Sequence, residues 1–278
     1  MFLEIIKSII LGIVQGITEW LPISSTGHMI LFNQFLNLNF DKAFVDLFMV
    51  VIQFGSILAV VTMYFRRLNP FSPSKNPQEK SQTWNMWFKV MAAVVPAAVI
   101  GLKFDDTITK YCHNAYVVSL ALIVYGVLFI VIENRNKAAK IQSISQLSYK
   151  TAFAIGIFQM LALIPGTSRS GATILGAVML GLSRESATEF SFFLAVPVML
   201  GASALKIVKY FVSYGLMSTN ELIILLVGMI TAYIVSVFAI KFLMRYIRKH
   251  DFKIFGYYRI LLGIIILVYF ALSGAAVL

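Results

Sequence analysis

The chain has 278 residues, 59% of them apolar and 13% charged, and Lys plus Arg outnumber Asp plus Glu by 23 to 12, giving a formal charge of +11. Soluble domains carry about a quarter charged residues, so this composition excludes a soluble globular chain. The single cysteine, Cys112, excludes an intrachain disulfide or a cysteine-built metal site, and in a membrane protein the positive excess reads as a topology signal, so no nucleic-acid partner is expected.

Residues 1–36 open the chain. Glu4 precedes Lys7, and the apolar run continues into Gln15, Glu19 and Pro22, which is the pattern of mature chain rather than of a signal peptide. The region is cut at Leu21-Pro22-Ile23-Ser24-Ser25-Thr26-Gly27. Three stretches long enough to cross a membrane follow, at 43–65, 85–104 and 115–133. A second interrupted region, 149–182, is cut at Pro165-Gly166-Thr167-Ser168-Arg169-Ser170-Gly171, and precedes spans at 187–208, 221–244 and 256–276. The apolar pieces after the cuts, 29–38 and 172–182, are too short to span. Broken backbone at membrane depth is tolerated only where protein buries it or a polar cavity lies beside it. Both cuts therefore point to a site.

The two halves match at a constant spacing of 144 residues: Gly12 with Gly156, Gln15 with Gln159, Ser24 with Ser168, Thr26 with Ser170, Gly27 with Gly171 and Phe48 with Phe192. The pattern predicts one all-α integral-membrane domain made of two repeats, 1–144 and 145–278. Each is a broken re-entrant helical hairpin (1–36 and 149–182) followed by three transmembrane helices. Three crossings per unit force opposite orientations, so an inverted-topology repeat is expected, with the two hairpins meeting near the midplane. Lys and Arg collect in 66–89, 134–150 and 241–253. Positive-inside counting makes those segments cytoplasmic and places both termini outside.

The chemistry gathers at the cuts. Gln15 and Glu19 share a helix face, and a carboxylate in an apolar helix is a functional hypothesis by default. Their oxygens suit a divalent cation, Mg²⁺ or Ca²⁺, held jointly with substrate phosphates; the structural alternative is that Glu19 only bonds the break. Ser24, Ser25, Thr26 and Gly27 stand at a helix start, where free N–H groups bind anions, and His28 is the nearest base for a nucleophilic serine. Capping alone would also explain these hydroxyls. Thr167, Ser168, Ser170 and Gly171 repeat the design around Arg169, whose planar fork matches phosphate; an Arg169–Glu19 ion pair is the structural alternative. Glu189 is read either as cavity lining or as an interfacial helix start. Tyr257, Tyr258, Trp84 and Trp87 read as interfacial belt residues, and 69–83 as a polar loop.

The run Gln15-Gly16-Ile17-Thr18-Glu19-Trp20-Leu21-Pro22-Ile23-Ser24-Ser25-Thr26-Gly27-His28, with Pro165-Gly166-Thr167-Ser168-Arg169-Ser170-Gly171-Ala172-Thr173, closely resembles the undecaprenyl-diphosphate phosphatase family linked to bacitracin resistance. The likeness extends to Glu189-Phe190-Ser191-Phe192-Phe193-Leu194-Ala195-Val196-Pro197 and to Tyr258-Arg259. The resemblance implies a long-chain prenyl diphosphate substrate, a divalent-cation requirement, and an active site facing the outer side of the bacterial cytoplasmic membrane. It assigns the family's acidic motif to Gln15 and Glu19, Gln15 being a neutral variant, and its serine, histidine and arginine to Ser25, His28 and Arg169. The mechanism expected from both readings has Ser25 attacking the terminal phosphorus, His28 handling protons, and Arg169 with a cation near Glu19 neutralising the diphosphate. A lipid-phosphate flippase or anion transporter is the alternative from the same architecture, and a structural partner in a wall-synthesis complex is a third. A homodimer is left open.

Overall fold

The computed structural model describes residues 1–112, 114–135 and 137–273; they are helical throughout except for connections and one isolated backbone bridge between Ile141 and Leu182. The helices in chain order are α1 (Phe2–Thr18), α2 (Ser25–Phe35), α3 (Lys42–Met63), the single turn α4 (Phe65–Leu68), α5 (Pro77–Cys112) and α6 (Ala115–Asn134). They continue as α7 (Tyr149–Met160), α8 (Arg169–Met179), α9 (Arg184–Tyr214), α10 (Thr219–Ile247) and α11 (Lys253–Ser273), with 3-10 turns at Ile144–Gln146 and Leu161–Leu163. Six segments are long and apolar enough to cross a membrane: α3, Pro77–Phe104 of α5, α6, α9, α10 and Lys253–Leu272 of α11. All six predicted spans fall on them, although residues 274–276 of the last lie outside the described residues.

Helix starts differ from the hydropathy pattern at several places where a side chain caps the backbone. The polar loop expected at 69–83 gives way to helix at Pro77, because Asn76 and Glu79 cap each other. Glu79 N donates to Asn76 Oδ1 and Asn76 N to Glu79 Oε2, both at 2.8 Å, and proline at the first helical position loses no hydrogen bond. The short pieces also start earlier than expected. Ser25 and Arg169 are already the first residues of α2 and α8, ahead of the apolar pieces at 29 and 172, so the hydroxyl-rich motifs stand at helix starts as expected.

Packing runs between the halves. α1 lies along α10, α7 along α5, α3 against α9 and α10, and α6 along α11. Lipid supplies no hydrophobic drive between helices, so close backbone approach through small residues does the work. At Gly12 an added Cβ would lie 2.7 Å from Gly228 O, and at Gly156, its counterpart 144 residues on, 2.3 Å from Ala93 O. Gly156→Leu should therefore force α7 away from α5 at a cost of about 1–3 kcal/mol, read as a lower thermal unfolding midpoint in detergent; an unchanged midpoint would contradict this packing.

The basic segments meet at one end of the molecule. Arg67 pairs with Glu189, Arg184 Nε donates to Glu133 Oε1 at 3.0 Å, Arg248 pairs with Glu185 at 2.8 Å, and Lys89 Nζ reaches the carbonyl oxygens of Ile144 and Ser145. Glu189 is thus a buried carboxylate held by Arg67.

Candidate active site

Two serines set the backbone of the site. Ser24 has φ 72° and Ser168 φ 71°, the only non-glycine residues with positive φ among the described residues. Such a conformation costs of order 1–3 kcal/mol and persists only where the surroundings hold it. Here each serine caps the helix it precedes: Ser24 Oγ accepts from Gly27 N at 3.3 Å, and Ser168 Oγ from Gly171 N at 3.1 Å. The left-handed step turns the chain back at the end of each break, so that α2 and α8 begin inside the protein with their amide-rich ends free to face an anion.

Both breaks converge on Glu19, which is 6% exposed. Its Oε2 accepts from Gln15 Nε2 and from Ser25 Oγ, each at 2.9 Å. Its Oε1 accepts from Arg169 Nη2 at 3.3 Å. Arg169 is held further by a bond from Nη1 to Ser191 O at 2.9 Å and by its position 5.7 Å above the Trp20 ring. Ser170 Oγ crosses between the breaks to Glu19 O at 3.2 Å and also contacts Ser168 Oγ at 3.1 Å. Gln15, Glu19, Ser25 and Arg169, separated by up to 154 positions in the sequence, thus form one hydrogen-bonded cluster. The Arg169–Glu19 ion pair expected as a structural alternative is present, and it leaves Arg169 Nε buried without a partner among the described residues.

His28 is placed differently from the expectation. Its Nδ1 lies 2.8 Å from Ser24 O and its Nε2 2.7 Å from the Tyr258 hydroxyl, with the two rings stacked. A carbonyl can only accept, so neutral His28 carries its proton on Nδ1 and takes the Tyr258 proton bond on Nε2. Ser25 donates to Glu19 instead of His28, because the first turn of α2 points the Ser25 hydroxyl at α1 and the imidazole at α11. Tyr258, expected in the interfacial belt, is therefore part of the site's support. Trp87, also expected there, donates from Nε1 to Leu68 O at 2.8 Å.

Arg259 was not among the expected site residues. It is fully buried, its Nη1 donates to Pro22 O at 3.2 Å, and its Nη2 donates to Gly166 O at 2.9 Å and Thr167 O at 2.8 Å. One guanidinium therefore ties the first break to the second. A Cβ at Gly171 would lie 2.9 Å from Arg259 Nη1, so glycine leaves room for the clamp. The signal was available in the sequence: Arg259 is an ionisable residue inside the last apolar span, the same criterion that singles out Glu19. Gln159, counterpart of Gln15, is buried with neither amide atom bonded among the described residues. Thr26 lies on the partly exposed first turn of α2.

A family model described as bacitracin resistance protein BacA matches residues 8–265. The chain is 59% identical over 270 residues to undecaprenyl-diphosphatase 1 of Clostridioides difficile (strain 630), covering 97% of each chain. It is 60% identical over 271 residues to the undecaprenyl-diphosphatase of Acetivibrio thermocellus, covering 96% of this chain and 98% of that protein. With the undecaprenyl-diphosphatase of Enterococcus faecalis it shares 56% identity over 275 residues, covering 98% of this chain and 100% of the relative.

Proposed function

We propose that this chain, which belongs to the bacitracin resistance protein BacA family, hydrolyses undecaprenyl diphosphate to undecaprenyl phosphate and phosphate. The reaction returns the lipid carrier to cell-wall synthesis and so confers bacitracin resistance. One observation carries the site assignment: Ser25 and Arg169, each opening a short helix, meet on the same carboxylate, Glu19. A diphosphate placed there faces two helix starts, one guanidinium and one hydroxyl whose proton already points at a base.

Phosphoryl transfer depends chiefly on positioning and on neutralising charge. Arg169 exchanges part of its bond to Glu19 for the terminal phosphate, and the α2 and α8 amides hold the remaining oxygens. Ser25 Oγ attacks the terminal phosphorus as its proton passes to Glu19 Oε2. The bond from that phosphorus to the bridging oxygen breaks, and the lipid monophosphate leaves with the electron pair. Glu19 passes that proton to the departing lipid monophosphate and is a carboxylate again. It then takes a proton from the water that attacks the phosphoserine, the bond from phosphorus to Ser25 Oγ breaks, and Glu19 returns the proton to that oxygen as phosphate leaves. His28, pinned by Ser24 and Tyr258, fixes the start of α2 and thereby the aim of Ser25.

Gln15 Oε1 is a buried oxygen without a partner among the described residues. Together with the Glu19 carboxylate it fits a Mg²⁺ or Ca²⁺ ion completed by substrate oxygens. No group of three His, Cys, Asp or Glu that could cage a metal is found among the described residues. Bound there, the cation would supply neutralisation of the diphosphate's charge.

The architecture proposed with this activity is an inverted repeat of two re-entrant hairpins. Its support is the matched Ser24 and Ser168 conformations, the equal 11-residue lengths of α2 and α8, and the exchange of α1 and α7 onto α10 and α5. The gathering of the basic segments at one end supports a cytoplasmic end there, both termini outside, and a site opening outward.

The test is phosphate release by purified protein in detergent from a long-chain prenyl diphosphate. Release is expected, lost with a chelator and restored by Mg²⁺ or Ca²⁺. Detergent leaves no second compartment, so absence of release alongside transport in vesicles would replace this reading with the flippase or transporter one. Acid quenching during turnover should trap phosphate on Ser25; turnover with no covalent phosphate would assign the attack to water.

A further inference from the structure

At the end of the molecule where the connection from α3 to α5 meets the Ile144–Gln146 turn, a cavity of 520 Å³ is lined by Arg66, Arg67, Lys75 and Lys89. The one carboxylate in its lining, Glu79, already caps α5 through Asn76 N. Lys89 is 6% exposed, and among the described residues its ammonium bonds only to the carbonyl oxygens of Ile144 at 3.3 Å and Ser145 at 3.1 Å. Lys75 is likewise held by neutral oxygens, those of Arg67, Asn69 and Thr83. Desolvation lowers its pKa from the ordinary lysine value, Glu79 opposes that change, and Arg66 and Arg67 add to it. Arg66 has no ion pair or hydrogen bond among the described residues.

Orienting the chain in a membrane does not explain this arrangement. Positive-inside residues need only lie beside the membrane in water, whereas a buried ammonium without a counter-ion is costly. The volume is within the range of about 300–1,000 Å³ typical of small-molecule pockets. Basic pockets at the ends of membrane helices take phosphorylated head groups. The cavity is also distinct from the Glu19 site. Between them run the contacting rings of Trp20, Phe192, Tyr64 and Phe193, with Arg169 over Trp20 at one end and Arg67 over Phe193 at the other.

We propose that this cavity is a second anion site that binds a phosphate group, free or as a monoester, through Arg66, Lys75 and Lys89. The proposal does not depend on the phosphatase reading, because its test reads binding rather than turnover.

The probes are a short-chain alkyl phosphate monoester, the alkyl phosphocholine of the same tail, and inorganic phosphate. Each is titrated by calorimetry into detergent-purified Arg169→Gln protein, which weakens competition from the Glu19 site, and into the unaltered chain. The monoester is expected to bind and the phosphocholine is not. Arg66→Gln, at an exposed position where folding is not at stake, and Lys89→Gln should each weaken binding about tenfold, as loss of a charge-assisted contact does, while detergent phosphate release stays unchanged. If inorganic phosphate binds as tightly as the monoester, the ligand is free phosphate; if the monoester alone binds, it is a lipid head group. Equal binding of the phosphocholine, no binding of either phosphate probe, or monoester binding indifferent to Arg66→Gln would overturn the proposal.

Discussion

Arg169→Ala should insert and fold normally yet release phosphate about 10³-fold more slowly, the lower end of what a transition-state arginine contributes to phosphoryl transfer. Among the described residues the side chain holds only one backbone acceptor, Ser191 O, beyond its pair with Glu19. Removing it therefore leaves few orphaned groups, and Glu19 keeps Gln15 and Ser25 as partners. What is lost is the single cation of the cluster. Arg169→Lys keeps the charge but not the fork, and an ammonium cannot bond Ser191 O and phosphate in the same geometry. It should recover about one to two of the three lost orders of magnitude. The decisive comparison is thermal midpoint against kcat: a midpoint near that of the parent protein with collapsed turnover places Arg169 on the substrate. Collapse of both would make it a structural ion pair, and full turnover in Arg169→Ala would remove the site from this cluster.

The sequence made the spans legible because lipid exposure demands apolar residues around most of each helix, as in α3, α6 and α10. The cuts were legible for the converse reason: proline, glycine and hydroxyls have no place in lipid unless a site holds them. Helix starts were less so. Pro77 and Ser25 begin helices that hydropathy places later, since reciprocal caps at Asn76 and Glu79, or the left-handed turn at Ser24, outweigh local polarity. The partner of Ser25 was least legible of all. His28 is nearer in sequence, but the chain reverses at Ser24, and that reversal turns Ser25 toward Glu19 and His28 toward Tyr258. A reversal that rests on one φ angle leaves no periodic trace. Arg259 carries part of the family likeness but no site role in the sequence, for a different reason. Its helix reads as an ordinary span, and only the tertiary structure brings its guanidinium against carbonyl groups from both breaks.

That position predicts the largest loss of stability in the chain. Arg259→Met should lower the thermal unfolding midpoint sharply and abolish phosphate release together, in contrast to Arg169→Ala. The replacement fills much of the volume but leaves Pro22 O, Gly166 O and Thr167 O without their donor. An unsatisfied buried acceptor costs about 1–3 kcal/mol, and three carbonyl oxygens lose their charged donor at once. The loss also includes the packing of the guanidinium 5.4 Å above the Tyr125 ring. Without the clamp the two breaks are joined chiefly by Ser170 Oγ and the Arg169–Glu19 pair, so the ends of α2 and α8 lose their common reference and Ser25 its alignment to Arg169. Arg259→Lys retains charge but offers one nitrogen where two now serve carbonyls on both breaks, and it should restore less than half of the midpoint shift. Turnover should stay low in Arg259→Lys even at temperatures where the protein remains folded, because alignment rather than folding then limits it. A variant with the parent midpoint and full phosphate release would show that the breaks hold their geometry unaided.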